Sequence, residues 1–125
     1  EAVFPVLKLG PNKLDLHGLS FGAAKLAVRW WIHEVVPELL DAASPPPYFL
    51  IIVGRLKGRR GEPVLRGMVI EYLDSLGLAW KQAKASKLAD WDDSLEGLGA
   101  INVDTKGLRA AQLPRLRRTR TGDSR

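Results

Sequence analysis

Hydrophobic and polar positions fall into short blocks along this chain, and each block carries the period of a particular element. Residues 14–18 (LDLHG) alternate apolar and polar and stop at a glycine, as a half-buried strand does. Leu14 and Leu16 are then expected on the core face, with Asp15 and His17 together on the other. Ser20 is placed to cap a helix, and Ala24, Ala27, Val28, Trp31, Val35 and Leu39 follow at the three-and-four spacing of an amphipathic one. Pro37 lacks an amide hydrogen and should kink that helix or restart it after Val36. Trp30 and Trp31 are adjacent and cannot share a helix face, so one belongs to the core and the other is partly exposed or covered by the N-terminal arm.

A stiff break at residues 44–47 (SPPP) precedes residues 48–53 (YFLIIV), a continuous apolar run that predicts a buried central strand. The run passes straight into a basic loop, residues 54–61 (GRLKGRRG). Pro63 suits the first turn of a second helix, with Leu65, Met68, Val69, Tyr72, Leu73 and Leu76 on one face and Gly77 at its end. Residues 78–85 predict a third strand and residues 99–103 a fourth, with an acidic loop at 90–96 between them. Residues 1–13, broken by Pro5, Gly10 and Pro11, are an arm or linker. From Gln112 onward apolar residues nearly vanish, and an extended or disordered segment is expected. Strand, helix, strand, helix and two strands predict an α/β fold: a small two-layer sandwich, βαβαββ, with a four-stranded mixed sheet and two main helices. The domain is placed at residues 14–105 and a basic tail at 106–125.

Composition bounds the class. In 125 residues, 46% are hydrophobic and 26% charged, the balance of one soluble globular domain. No apolar stretch approaches the ~20 residues of a membrane-spanning helix, and the first residues lack the pattern of a secretory signal, so no membrane is expected. The absence of cysteine excludes a disulfide scaffold, a thiolate metal site and a cysteine nucleophile. A first residue of Glu1 rather than Met predicts a processed product or a piece of a longer chain.

The net charge of +5 is unevenly spread. Between positions 55 and 66 the five basic residues Arg55, Lys57, Arg59, Arg60 and Arg66 face one Glu62, and between 106 and 125 seven basic residues face one Asp123. The rest of the chain is acidic. Localised arginine-rich segments are what phosphate neutralisation needs, since each guanidinium can pair bidentately with phosphate oxygens. The alternative is a solvated loop and a solvated tail.

Several residues carry candidate chemistry. Asp15 and His17, two apart on a strand, project to one side, so the carboxylate could hold a hydrated Mg²⁺ or orient the imidazole while His17 acts as general acid or base on a phosphodiester. An exposed Asp and His that only bond their own turn is the plainer reading of the spacing. The 54–61 loop has no GxxxxGK[ST], which argues against nucleotide hydrolysis; Gly54, Arg55, Lys57, Arg59 and Arg60 in it, and Arg66 beyond it, are candidates for backbone phosphate contact. In the tail the candidates are Arg115, Arg117, Arg118 and Arg120. Trp80, with Lys81 and Lys84, could stack on a base as single-strand binders do, or simply belong to the core. Trp91 lies in the acidic loop, away from such a role. His33 reads as an ordinary helix residue.

The run Leu14-Asp15-Leu16-His17-Gly18, with a helix opening near Ser20, resembles the LDxH motif that begins Smr (small MutS-related) domains. The strand over 49–53, the basic loop and Pro63-Val64-Leu65-Arg66 resemble the middle of the same domain, and the likeness spans residues 13–104. The Ala-rich first helix, paired tryptophans and proline-rich break are most similar to Smr domains at the C-terminus of organellar pentatricopeptide-repeat proteins. The resemblance implies a fold similar to the C-terminal domain of translation initiation factor three. It also implies nucleic-acid binding, endonuclease activity on RNA or DNA in several members, and a chloroplast or mitochondrial location. The family's TGxG motif falls at Val53-Gly54-Arg55-Leu56, where only the first glycine is kept. A leucine obstructs the close backbone approach that glycine permits, and the added basic residues favour binding over cutting. Three functions follow as expectations. The first is an RNA-binding module of a larger organellar RNA-processing or ribonucleoprotein component; the others are an endonuclease and a structural protein-interaction module in a large assembly.

Overall fold

A computed structural model describes residues 7–55, 64–83, 98–105 and 113, with Arg55 and Leu98 as backbone only. Strand β1 (Lys13–Asp15) leads into helix α1 (Phe21–Trp30), a π-helical turn (Trp31–Val35) and helix α2 (Val36–Leu40). Strand β2 (Phe49–Arg55), helix α3 (Val64–Ser75), strand β3 (Trp80–Gln82) and strand β4 (Leu98–Val103) follow. The sheet order is β1-β2-β4-β3, with β1 parallel to β2 and β4 antiparallel to both β2 and β3. This is the expected α/β architecture with a mixed sheet.

Pleating divides the sheet into two faces. Leu14, Ile51 and Ile101 lie in one register row and are buried with Phe49, Val53 and Val103 beneath Ala24, Val28, Trp31, Met68, Val69 and Leu73 of the helices. Leu50, Ile52 and Ala100 alternate with them and form a smaller buried cluster on the opposite face, packed by Leu9, Tyr48 and Ala83. Leu7 packs on the first cluster and Leu9 on the second, so residues 7–12 fold against the domain rather than leading away from it.

The Ser20 side chain accepts from the Ala23 amide at 3.2 Å, which caps α1 as expected. Of the adjacent tryptophans, Trp31 is wholly buried and Trp30 half-buried. The arm touches the buried one: Trp31 Nε1 donates to the Pro11 carbonyl at 2.8 Å. As expected of a proline that restarts a helix, Pro37 lies in the first turn of α2, which begins at Val36. The π-turn before it widens the coil by one residue, giving room where the proline ring would otherwise strike the preceding turn. That extra residue turns the buried face by about a third of a turn. Ile32, His33 and Val36 go into the core, and Val35 and Leu39 remain half-buried.

β2 runs two residues further than its apolar run, so Gly54 and Arg55 are strand rather than loop, paired with Gly99 and Leu98. A register shift between Ile52 and Gly54 makes this a bulge, and Gly54 sits at φ +99°, a conformation side-chain-bearing residues avoid. At the end of α3, Gly77 adopts φ +74°, its amide donates to the Asp74 carbonyl and the Leu78 amide to the Leu73 carbonyl, a Schellman cap. Leu78 therefore belongs to the cap, and β3 begins only at Trp80. Leu113, within the segment expected to be extended, is instead buried in the main core. Among the described residues no helix is long and apolar enough to cross a membrane.

Candidate nucleic-acid interface

The parallel pairing of β1 with β2 brings their carboxyl ends together, with Asp15 in register with Ile52. Leu16 continues the ladder by donating to the Ile52 carbonyl at 2.9 Å. At this end α1 begins from Ser20, β2 leaves through Gly54 and Arg55, β4 enters, and α3 begins at Val64. Helix N-termini and strand carboxyl ends are where open α/β sheets present amide groups to ligands.

Asp15 is buried at 6% exposure while His17 is half-exposed. One carboxylate oxygen, Oδ1, accepts from the His17 amide at 3.1 Å and pairs with His17 Nδ1 at 2.5 Å. β1 ends at Asp15 and His17 lies in the turn after it, so it is these local bonds rather than strand period that join the two side chains, as in the plainer reading of the spacing. With Nδ1–H donating to the carboxylate, Nε2 of the neutral ring carries the lone pair. Among the described residues no group of three His, Asp or Glu side chains is placed to hold a metal ion, and Asp15 Oδ1 is already engaged twice.

Arg66 stands in the first turn of α3. Its Nη2 donates to Gln82 Oε1 at 2.9 Å, and its guanidinium carbon lies 5.9 Å from the Trp80 ring centroid. Trp80 Nε1 in turn donates to Asp74 at 3.0 Å. Trp80 thus holds Arg66 against its ring and Asp74 at its indole nitrogen, and packs half-buried against the main core. Consecutive strand residues point to opposite faces, so Trp80 turns to the helices and Lys81 away from them. Gln82, which sequence reading passed over, shares the Trp80 face by the same two-residue period. Lys57, Arg59, Arg60, Lys84, Arg115, Arg117, Arg118 and Arg120 lie outside the described residues, as does Trp91.

His33, read as an ordinary helix residue, is a buried core histidine at 6% exposure. Its Nε2 meets the Tyr72 hydroxyl at 2.6 Å, tying the π-turn to α3. Burial pushes the Tyr72 phenol above its ordinary value, with the nearby Arg29 charge pulling the other way. The folded chain thus holds this proton more tightly than the unfolded one. The contribution is complete below about pH 10 and is lost as pH rises from there through the folded value. Tyr72→Phe is expected to lower stability by about 1 kcal/mol near neutrality through the lost hydrogen bond. It should also flatten the fall in urea midpoint above about pH 10, and an unchanged alkaline slope would refute the assignment.

Comparison of the chain with protein-family models, with curated proteins and with solved structures gives no match.

Proposed function

We propose that this chain is an RNA-binding domain of the Smr kind, part of a larger organellar RNA-processing or ribonucleoprotein component, that grips phosphates with its basic 55–66 segment and basic tail. The observation that carries the reading is convergence at one end of the sheet. Asp15, His17, Gly54 and the first turn of α3 gather there, so the segment holding five basic residues leaves from and returns to that same end. Contacts of this sort hold a strand in place without reading its sequence.

The Asp15–His17 pair supports a second reading, endonucleolytic cleavage of RNA. An imidazole held by a carboxylate can take the proton of a ribose 2′-hydroxyl as that oxygen attacks the adjacent phosphorus. The 5′-oxygen of the next nucleotide leaves with a proton from solvent, giving a 2′,3′-cyclic phosphate. DNA has no such hydroxyl. The altered residues after Gly54 weigh on the side of binding.

The two readings separate in one assay: cleavage of labelled single-stranded and structured RNA with magnesium and with chelator, beside Asp15→Ala and His17→Ala and a gel shift across salt. Salt-sensitive binding without cleavage is the expected result. Cleavage lost in both variants with binding retained would establish the nuclease instead, and no RNA binding at low salt would overturn both.

A further inference from the structure

At the other end of the sheet, Pro47, Tyr48, Lys81, Asn102, Asp104 and Thr105 line an open groove of about 460 Å³. That lies within the roughly 300–1,000 Å³ of small-ligand sites. Strand register assembles it. Asn102 pairs with Leu50 on one side and Lys81 on the other, which sets Asn102 and Lys81 side by side on the face turned away from the helices. Tyr48 immediately precedes β2 at the same end, with Lys13 Nζ 5.4 Å from its ring centroid. Among the described residues neither the Asn102 amide nor the Lys81 ammonium has a polar partner.

We propose that this groove is a second binding site, for one unpaired nucleobase and its phosphate. Tyr48 supplies aromatic surface for stacking, which tolerates any base. The Asn102 amide places a donor beside an acceptor, the arrangement that matches the edge of adenine. Lys81, in the groove lining, meets the phosphate. The Asp104 carboxylate, also at the groove, repels a phosphate. The nucleotide is therefore oriented with its base toward β4 and its phosphate toward Lys81.

The choice of a nucleotide as ligand rests on the RNA-binding reading, and the test keeps the two apart. Backbone amide shifts of the full chain are followed by NMR during titration with adenosine monophosphate and, separately, with a single-stranded oligoadenylate of about eight nucleotides. The oligonucleotide is expected to shift Tyr48, Lys81, Asn102, Asp104 and Thr105. Asn102→Ala, and independently the exposed Lys81→Ala, should weaken that response about tenfold. Groove shifts with the mononucleotide but not the oligonucleotide would sustain the site as one for free nucleotides and overturn the RNA reading. Shifts confined to the carboxyl end of β1 and β2 would overturn the groove and leave the RNA reading standing. Silence with both probes would overturn both.

Discussion

Trp31→Ala is expected to destabilise the fold by about 3–5 kcal/mol, a large share of what a domain of this size has. Trp31 has no exposed surface, meets Phe49 edge-on with ring centroids 6.1 Å apart, and donates to the Pro11 carbonyl. Truncation would open a cavity between the helix layer and β2 and release the contact that fastens the arm. Trp31→Phe separates the two effects: it keeps an aromatic ring against Phe49 and loses the hydrogen bond, for an expected cost of about 1–2 kcal/mol beyond the volume change. Urea unfolding measures both. A loss below about 1 kcal/mol in Trp31→Ala would mean that the neighbourhood collapses to fill the space and that the indole does not anchor this core.

Replacing Arg55, Lys57, Arg59 and Arg60 together by Ala should weaken binding to single-stranded RNA on the order of 10³-fold at 50 mM salt, the deficit shrinking as salt approaches 1 M. Each phosphate contact to a single strand contributes about 0.7 to the slope of log affinity against log salt, so four lost contacts should flatten it by about 3. The slope is the informative quantity, because a merely unfolded variant would lose binding at every salt concentration. An unchanged slope in a folded variant would show that these residues do not face phosphates. Arg66, also in the basic stretch, is braced by Gln82 and Trp80, and Arg66→Ala should perturb packing as well as binding.

Features set by local chemistry could be read from residue order. The Ser20 cap, the Gly77 stop, the alternation of Leu14 and Leu16 with Asp15 and His17, and the apolar β2 run each depend on a few neighbouring residues. The strand and helix order built from them gives the mixed four-stranded sheet. What escaped depends on partners distant in sequence. The bulge at Gly54 exists because β4 pairs across it, and the π-turn before Pro37 rephased a helix face that a uniform period put at Val35 and Leu39. His33 looked ordinary because its partner, Tyr72, lies on another helix. In the candidate site, residue order put Asp15 and His17 on one side, but β1 ends at Asp15 and the pair is joined by the turn that follows it. The bracing of Arg66 was not legible, since it requires knowing which helix lies beside which strand.

Leu113 changes what the basic C-terminal segment can do. With that side chain fixed in the core, Arg115 begins two residues from an immobile point, and a fully extended chain gains at most about 3.5 Å per residue. Arg120 can then stray no further than roughly 25 Å from the Leu113 backbone. Under the proposed RNA-binding reading, arginines tethered this closely would meet a strand held by the domain at an effective concentration in the millimolar range. Under that reading their engagement would be in effect intramolecular: an RNA released by one basic segment would still be within reach of the other, so the two together would slow escape more than either alone.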